Sequence, residues 1–422
     1  MQADLPAQRL FKFALTIWIL GASFFFFEYA LRVSPSVMMP ELHHYFGISA
    51  GLAGALSAIF YYPYILMQIP VGMVTDHFGP RRVMTFAAIL TGIACLLFVM
   101  MPSIALALIA RGMMGFCAAF AFVGTLRIAL NWFQPSTFVI LTGITQATGM
   151  LGAAFGDAPL SAFIHATNLH IVMVTFSAIF LLLGLAMFIT LKLVKAPSNT
   201  TNHTSNQPPV RVWQGLAYVI KKPAVWANCL FIGTLYGPTT VFAEAWGPSF
   251  MHVYRGFALT SASFTISLIF IGMVIGCTLF GMINRYIAAI QLMRFSAIAS
   301  MILLAALIYL PGLNYFTTSA LCLIYGICNA GIIPSYNRAA LLIKKTYSGI
   351  VLGITNMFSI LFGAIMIQIV GVVLDMLHPD TSPENLASDS FQSIFIILFI
   401  CFAIAITISF CIRPNQTQSE DN

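Results

Sequence analysis

The sequence predicts an all-α integral membrane protein with twelve transmembrane helices in two six-helix bundles. Of its 422 residues, 60% are hydrophobic and only 7% are charged, which is too little polar surface to cover a soluble globule. Apolar stretches of about 20 to 28 residues recur along the chain, and a membrane-spanning helix needs about this length. The strands of a membrane barrel would instead be short and alternating. Helices are therefore the expected spanning structure.

The predicted spans are numbered 1 to 12 in chain order. They cover 11–38, 49–73, 82–101, 104–131, 137–163, 171–194, 224–252, 260–283, 288–310, 314–342, 347–374 and 391–413. The first stretch is too long for a cleavable signal, so we expect it to remain as span 1.

A polar segment from Lys195 to Pro209 interrupts the apolar pattern. Its composition cannot bury a core, which is typical of a linker. We therefore expect an N-terminal six-helix bundle at 1–194, a cytoplasmic linker at 195–222 and a C-terminal six-helix bundle at 223–422. Two such bundles are expected to be related by an axis along the membrane normal.

The basic residues predict the orientation. With the N-terminus in the cytoplasm, all of the 19 Lys and Arg except Arg32, Arg111 and Arg255 fall at the inner side, as the positive-inside rule requires. Both termini are then cytoplasmic, and the net charge of +7 needs no nucleic-acid partner to explain it. We expect a multi-pass protein of the bacterial inner membrane that functions as a monomer. Its eight Cys show no metal-like spacing, so no metal and no cofactor is predicted.

The loop between spans 2 and 3 reads Gly-Met-Val-Thr-Asp-His-Phe-Gly-Pro-Arg-Arg over residues 72–82. Its glycines let helix ends approach, and its acid can lie at a helix N-terminus and pair with Arg. This spacing resembles the signature between helices 2 and 3 of the major facilitator superfamily of secondary transporters. The resemblance implies a conformational latch, and a generic positive-inside loop is the alternative. The latch residues are Gly72, Asp76, Gly79, Arg81 and Arg82.

Glu28 and Arg32 are the clearest charged pair inside the predicted membrane region. Four residues apart, they share one helix face. Arg32 suits an anionic group of a substrate and Glu28 a coupled proton, whereas a structural ion pair is the alternative. The stretch 28–37 also resembles the helix 1 motif of the organic anion:cation symporter branch. Arg32 falls on that branch's substrate-binding Arg, but Leu31 replaces its acid, which leaves Glu28 as the nearby substitute.

Span 4 contains Arg111 followed by Gly115, which resembles a superfamily signature whose Arg couples protonation to conformational change. Helix packing is the alternative role for Arg111. Anion symporters commonly carry an acid seven residues after this Arg, and this chain has Ala118 there. Proton coupling is therefore assigned to Glu28 and Arg111, with Asp157 of span 5 as a further candidate.

Polar side chains in otherwise apolar helices are the remaining candidates for substrate binding. Glu244 could bind a substrate amine or a proton, or it could simply lie at the solvated outer opening. The neutral polar side chains are equally explained by hydrogen bonds between helices. Together with Arg32, the predicted substrate-binding residues are Tyr61, Tyr64, Gln68, Tyr236, Glu244, Asn329 and Asn356.

No nucleotide-binding Gly-Lys-Ser/Thr loop occurs, which favours an ion gradient as energy source. We expect a secondary active transporter for proton-coupled uptake of a small polar or anionic metabolite by alternating access. The alternatives are export of a small molecule or siderophore, transport of amino acids or peptides, and a membrane sensor that does not transport. No metal cluster or nucleophile and base arrangement suggests an enzyme. The expected partners are a small-molecule substrate, H⁺ and the lipid bilayer.

Overall fold

The computed structural model describes residues 7–68, 70–100, 103–193, 212–284, 286–343, 347–377 and 388–412. The described secondary structure is helical throughout. Apart from Val212–Ile220, each helix lies at one of the twelve predicted spans, although span 1 extends to Phe46. The span numbers are kept below.

The first half contains spans 1 to 6. Breaks divide span 1 into two helices and span 2 into three. The helices are Ala7–Val33 and Pro35–Phe46 (span 1), Ala50–Ala58, Tyr61–Met67 and Pro70–Phe78 (span 2), Pro80–Met100 (span 3), Ile104–Trp132 (span 4), Pro135–Ala166 (span 5) and Leu169–Leu193 (span 6).

The second half contains spans 7 to 12. Span 7 includes a π-helical turn and span 10 a 3₁₀ turn. The helices are Pro223–Val241, the π turn Phe242–Trp246 and Gly247–Arg255 (span 7), Leu259–Ile283 (span 8), Ala289–Tyr309 (span 9), Tyr315–Cys328, the 3₁₀ turn Asn329–Gly331 and Ile332–Leu341 (span 10), Ser348–Leu377 (span 11), and Ser388–Ile394 and Ile396–Cys411 (span 12).

Part of the predicted linker is helical. Residues 194–211 lie outside the described part of the chain, but Val212–Ile220 forms a helix whose Gly215 packs against Tyr347 and Ile350. The domain boundaries at 194 and 222 stay predictions.

By length and composition, nine helices of the described chain are long and apolar enough to cross a membrane. The other three spans are the broken spans 2 and 7 and the glycine-rich span 5. An all-helical membrane protein is therefore confirmed as the fold class.

Glycines bring spans 1 and 5 into direct backbone contact. A Cβ at Gly152 would overlap the carbonyl of Phe26, and a Cβ at Gly156 would overlap Ala30. Such small residues allow helices in a membrane to approach closely. This contact holds Asp157 of span 5 against the broken region of span 1.

The two halves meet along span 2 and span 11. A Cβ added at Gly54 would lie 3.2 Å from the Cα of Gly371, so these helices touch almost backbone to backbone. Ser49 Oγ donates a hydrogen bond to Asp375 Oδ2 at 2.7 Å, also across the halves. We call this end of the bundle the closed end. The opposite end, which carries the 72–82 loop, is called the loop end.

Candidate substrate cavity

A cavity of about 1580 Å³ lies between the halves and is lined by both. Its wall continues to Gly72 and His77 of span 2, Arg127 of span 4 and Gly281 of span 8, all near the loop end. The structure is therefore open at the loop end. The predicted substrate-binding residues that line this cavity are Arg32, Tyr61, Tyr64, Gln68, Tyr236, Glu244 and Asn356.

Arg32 and Glu28 form the predicted ion pair. Arg32 Nε and Nη2 both donate to Glu28 Oε1, at 3.0 and 2.6 Å, and the residues are 3% and 2% exposed. Glu28 Oε2 has no hydrogen-bond partner among the described residues. One carboxylate oxygen thus receives both hydrogen bonds, whereas a guanidinium fork binds best to two oxygens.

Aromatic rings hold the Arg32 guanidinium in place. Its Cζ lies 4.2 Å from the ring centroid of Tyr29 and 4.5 Å from that of Tyr64. Contacts of this kind stabilise a cation electrostatically. Tyr29 also lines the cavity and was not among the predicted residues. Its position three residues before Arg32, on the same helix face, was the available signal.

Arg111 binds the backbone where span 1 breaks. Pro35 has no N–H, so the carbonyl of Leu31 loses its helical donor. Arg111 Nη1 donates to Leu31 O and Nη2 to Arg32 O, both at 2.7 Å. Arg111 therefore ties span 4 to the carbonyls beside Arg32 and positions it. A role for Arg111 in proton coupling stays a prediction.

Glu244 joins the two halves at the cavity wall. Tyr61 of span 2 donates to Glu244 Oε2 at 2.5 Å, and Tyr236 of span 7 donates to Oε1 at 2.9 Å. Glu244 lies in the π-helical turn of span 7, and such turns often occur at functional sites. Both carboxylate oxygens thus have a tyrosine donor, one from each half.

Asn356 forms a second polar link between the halves. Its Nδ2 donates to Gln68 Oε1 at 2.8 Å, while its Oδ1 accepts from Tyr336 Oη at 2.8 Å. Tyr336 and Gln146 line the cavity as well. Gln146 was missed because a single amide in a glycine-rich helix gave no pattern on one face.

Two predicted residues lie away from the cavity. Asn329 is buried between spans 7, 9 and 10, where its Nδ2 donates to Ser300 Oγ at 3.2 Å. Asp157 is also fully buried, and its Oδ1 contacts Ser36 Oγ at 2.6 Å. Neither is among the residues that line the cavity.

The latch residues occupy the loop end. Gly79 has a φ of +84°, which a residue with a side chain adopts only with strain. Arg81 Nη1 donates to Thr190 O at 3.2 Å within the first half, and Arg82 is exposed. Gly72 lines the cavity. The side chain of Asp76 lies outside the described residues, so the latch stays a prediction.

Within the described part of the chain, no group of three His, Cys, Asp or Glu could hold a metal ion. Around Arg32, the cavity offers a cation beside two tyrosines, a carboxylate that accepts from two tyrosines, and neutral amides. This arrangement suits the binding of a small polar molecule.

Comparison with known proteins agrees with this geometry. The family model of the Major Facilitator Superfamily matches residues 17–368. A probable sulfoacetate transporter of Cupriavidus necator is 24% identical over 269 residues, which are 62% of this chain and 62% of that protein. The chain thus covers less than two thirds of that relative's length. A sodium-dependent phosphate transport protein of the Arabidopsis thaliana chloroplast is 22% identical over 373 residues, covering 81% of this chain and 70% of that protein.

Solved structures show the same fold. An inward-facing, unoccupied crystal structure of a bacterial homolog of the human lysosomal transporter Spinster matches with a TM-score of 0.76 and 13% identity, covering 97% of this chain and 99% of that one. The family match covers most of the chain, and the named relatives are transporters, not enzymes. The chain therefore belongs to the Major Facilitator Superfamily and is a multi-pass membrane protein.

Proposed function

We propose that the protein imports a small organic anion together with a proton, by alternating access across the bacterial inner membrane. In this proposal the loop end and both termini face the cytoplasm, and the monomer is the functional unit. The observation that carries the proposal is the buried Arg32–Glu28 pair, whose Arg32 lines the cavity.

Arg32 supplies the anion site. Its charge is permanent, it reaches the cavity, and it binds only one oxygen of Glu28. A substrate carboxylate or sulfonate offers two or more oxygens and makes better use of the planar fork. The rings of Tyr29 and Tyr64 already pack against the guanidinium, so little side-chain freedom is lost when the anion binds.

Glu244 favours an anion over a zwitterion. An amino acid or peptide needs a carboxylate near Arg32 and a second, free acid for its ammonium group. Both oxygens of Glu244 already accept hydrogen bonds from Tyr61 and Tyr236. These two hydrogen bonds already compensate part of the carboxylate's need for donors, so an ammonium group would gain less at Glu244 than at a free acid, and the amino acid alternative is the weaker one.

The ion pair links anion binding to proton binding. Protonation of Glu28 alone would leave Arg32 as an uncompensated buried cation, which costs about 3 to 5 kcal/mol. Binding of an anion to Arg32 while Glu28 stays ionised would place two anions on one guanidinium. The favourable state has both the proton on Glu28 and the anion on Arg32. The two therefore enter and leave together, which is symport.

Uptake into proteoliposomes tests this proposal. Sulfoacetate is the first probe because of the name of the Cupriavidus necator relative, and inorganic phosphate is the second because of the chloroplast relative. We expect an acidic exterior to drive accumulation inside. A sodium gradient in place of the pH gradient should have no effect. Accumulation driven by sodium alone would contradict proton coupling.

A matched pair of Arg variants tests the anion site. Arg32→Lys keeps the charge but loses the fork, which is worth about 1.5 to 3 kcal/mol for hydrogen bonds to a charged group. We expect a roughly 10- to 150-fold weaker affinity for the transported anion. The exposed Arg82→Lys should behave as wild type. Equal affinities in the two variants would remove Arg32 from the site.

A further inference from the structure

Asp157 occupies an unusual position between spans 1 and 5. It is 0% exposed and lies outside the cavity wall. The hydrogen-bond contact that the structure gives it is to Ser36 Oγ, 2.6 Å from Oδ1. Its Oδ2 has no partner within the described chain. A buried ionised carboxylate is normally paired with a cation or with several donors.

The hydrogens at Ser36 can be counted. Ser36 Oγ lies 2.7 Å from the carbonyl of Val33 as well as 2.6 Å from Asp157. Ser36 has one hydroxyl hydrogen, and a carbonyl oxygen can only accept. If that hydrogen points to Asp157, then Ser36 Oγ and Val33 O face each other at 2.7 Å with no hydrogen between them. If it points to Val33, then Asp157 must donate the hydrogen in the 2.6 Å contact.

The break in span 1 favours the second arrangement. In a continuous helix the N–H of Val37 would donate to Val33 O. Here Val37 N donates to Ser34 O, at 3.2 Å. The carbonyl of Val33 therefore depends on Ser36 for its donor. The Val33 carbonyl, the Ser36 hydroxyl and Asp157 Oδ1 each have a hydrogen-bond partner when Asp157 carries the proton.

Neighbouring charges do not compensate an ionised Asp157. Arg32 and Arg111 direct their donors to Glu28 and to the carbonyls of span 1. Glu244 is also an acid, so its negative charge repels that of an ionised Asp157. The helices that pack around Asp157 carry further acidic, basic and histidine side chains near the closed end. None of them is a described hydrogen-bond partner of Asp157. They are Glu28, Arg32, Glu41, His43, His44, Arg111, His165 and His170.

We propose that Asp157 is a second proton-binding site, separate from the Arg32–Glu28 pair. It is protonated in the conformation described here, in which the two halves are in contact at the closed end. Loss of the proton would turn the Ser36 hydroxyl toward the carboxylate and leave the Val33 carbonyl without a donor. Ser36 belongs to Pro35–Phe46, which packs against span 7 of the other half. Protonation of Asp157 is thereby linked to the part of span 1 that contacts the other half.

Infrared difference spectroscopy of the purified full-length protein at neutral pH tests the proposal. The spectrum of wild type minus Asp157→Asn should contain the carbonyl stretching band of a protonated carboxyl group, with a small downshift in D₂O. A pair of carboxylate bands in its place would show that Asp157 is ionised and would overturn the proposal. Asp157→Asn should fold, because it replaces one neutral group by another.

Ser36→Ala provides a test that keeps Asp157. Removing the hydroxyl removes the hydrogen bond from the acid, so the carboxyl band should move to higher frequency. The matched control is Ser161→Ala, one turn further along span 5, whose buried hydroxyl has no described partner and whose loss should leave the band in place. A Ser36→Ala spectrum in which only carboxylate bands change would contradict the proposal, even if Asp157→Asn fails to fold.

Discussion

The hydrogen bond from Tyr61 to Glu244 should stabilise the conformation that is closed at the Ser49–Asp375 end. It connects span 2 of one half to span 7 of the other. The hydrogen bond from Tyr236 to the same carboxylate stays within span 7. Movement of the halves against each other breaks the first bond and keeps the second. Tyr61→Phe and Tyr236→Phe are thus a matched pair that differs in this one respect.

The expected magnitude follows from the type of hydrogen bond. A hydrogen bond to a carboxylate contributes about 1.5 to 3 kcal/mol, and about 1.4 kcal/mol corresponds to a factor of ten in an equilibrium constant. Tyr61→Phe should therefore shift the equilibrium between the two conformations roughly 10- to 150-fold toward opening of the closed end. Tyr236→Phe removes a bond present in both conformations, so it should shift the equilibrium by less than about threefold.

Spin-label distances across the closed end measure this equilibrium. Leu52 of span 2 and Met376 of span 11 are 42% and 75% exposed. They lie one in each half, close in the chain to Ser49 and Asp375 respectively. Labels at cysteines placed there, in a background without native Cys, should report a short distance in this conformation. Tyr61→Phe should add a population at longer distance.

Three outcomes bear on the reasoning. A long-distance population in Tyr61→Phe alone supports the role of the inter-half hydrogen bond. Equal populations in both variants would show that the state of Glu244, not the link between halves, controls the equilibrium. An unchanged distribution in Tyr61→Phe would refute the assignment of this contact to the closed conformation.

Three further substitutions have defined outcomes. Gly54→Leu should open the closed end in the same spin-label assay, because its side chain would meet the Cα of Gly371, whereas Gly281→Leu has open space around its Cβ and should not. Gly79→Ala should destabilise the protein by about 1 to 2 kcal/mol because of its positive φ, seen as a lower midpoint in thermal unfolding; an unchanged midpoint would contradict the strain. Arg111→Lys replaces the two guanidinium nitrogens that reach the two carbonyls of span 1 by one ammonium nitrogen and should lose about 1 to 3 kcal/mol of stability, while a midpoint equal to that of wild type would argue against this positioning role.

The sequence predicted the helices well because the membrane imposes a length on apolar stretches. It also predicted seven of the polar side chains of the cavity wall, since a polar group in an apolar helix must face the interior or a neighbour. The same rule could not distinguish these two cases. Asn329 and Asn356 look alike in sequence, yet Asn329 bonds Ser300 in the second half and Asn356 reaches the cavity.

Contacts between residues far apart in the chain could not be predicted from the sequence pattern. Arg111 was expected in proton coupling, and its partners in the structure are the carbonyls of Leu31 and Arg32 at the break in span 1, 80 and 79 positions away in the chain. Glu244 left several roles open because its tyrosine partner in the other half is 183 positions away. Spacing along one helix contains no information about which residue of another helix completes a hydrogen bond.

Transport by Glu28→Gln tests the central claim, that proton and anion binding meet at the Arg32–Glu28 pair. In proteoliposomes, the variant mimics protonated Glu28, so it should still exchange labelled sulfoacetate for unlabelled sulfoacetate across the membrane. A pH gradient, acidic outside, should no longer drive accumulation, whereas wild type accumulates the anion under the same gradient. Accumulation by Glu28→Gln equal to that of wild type would contradict the account.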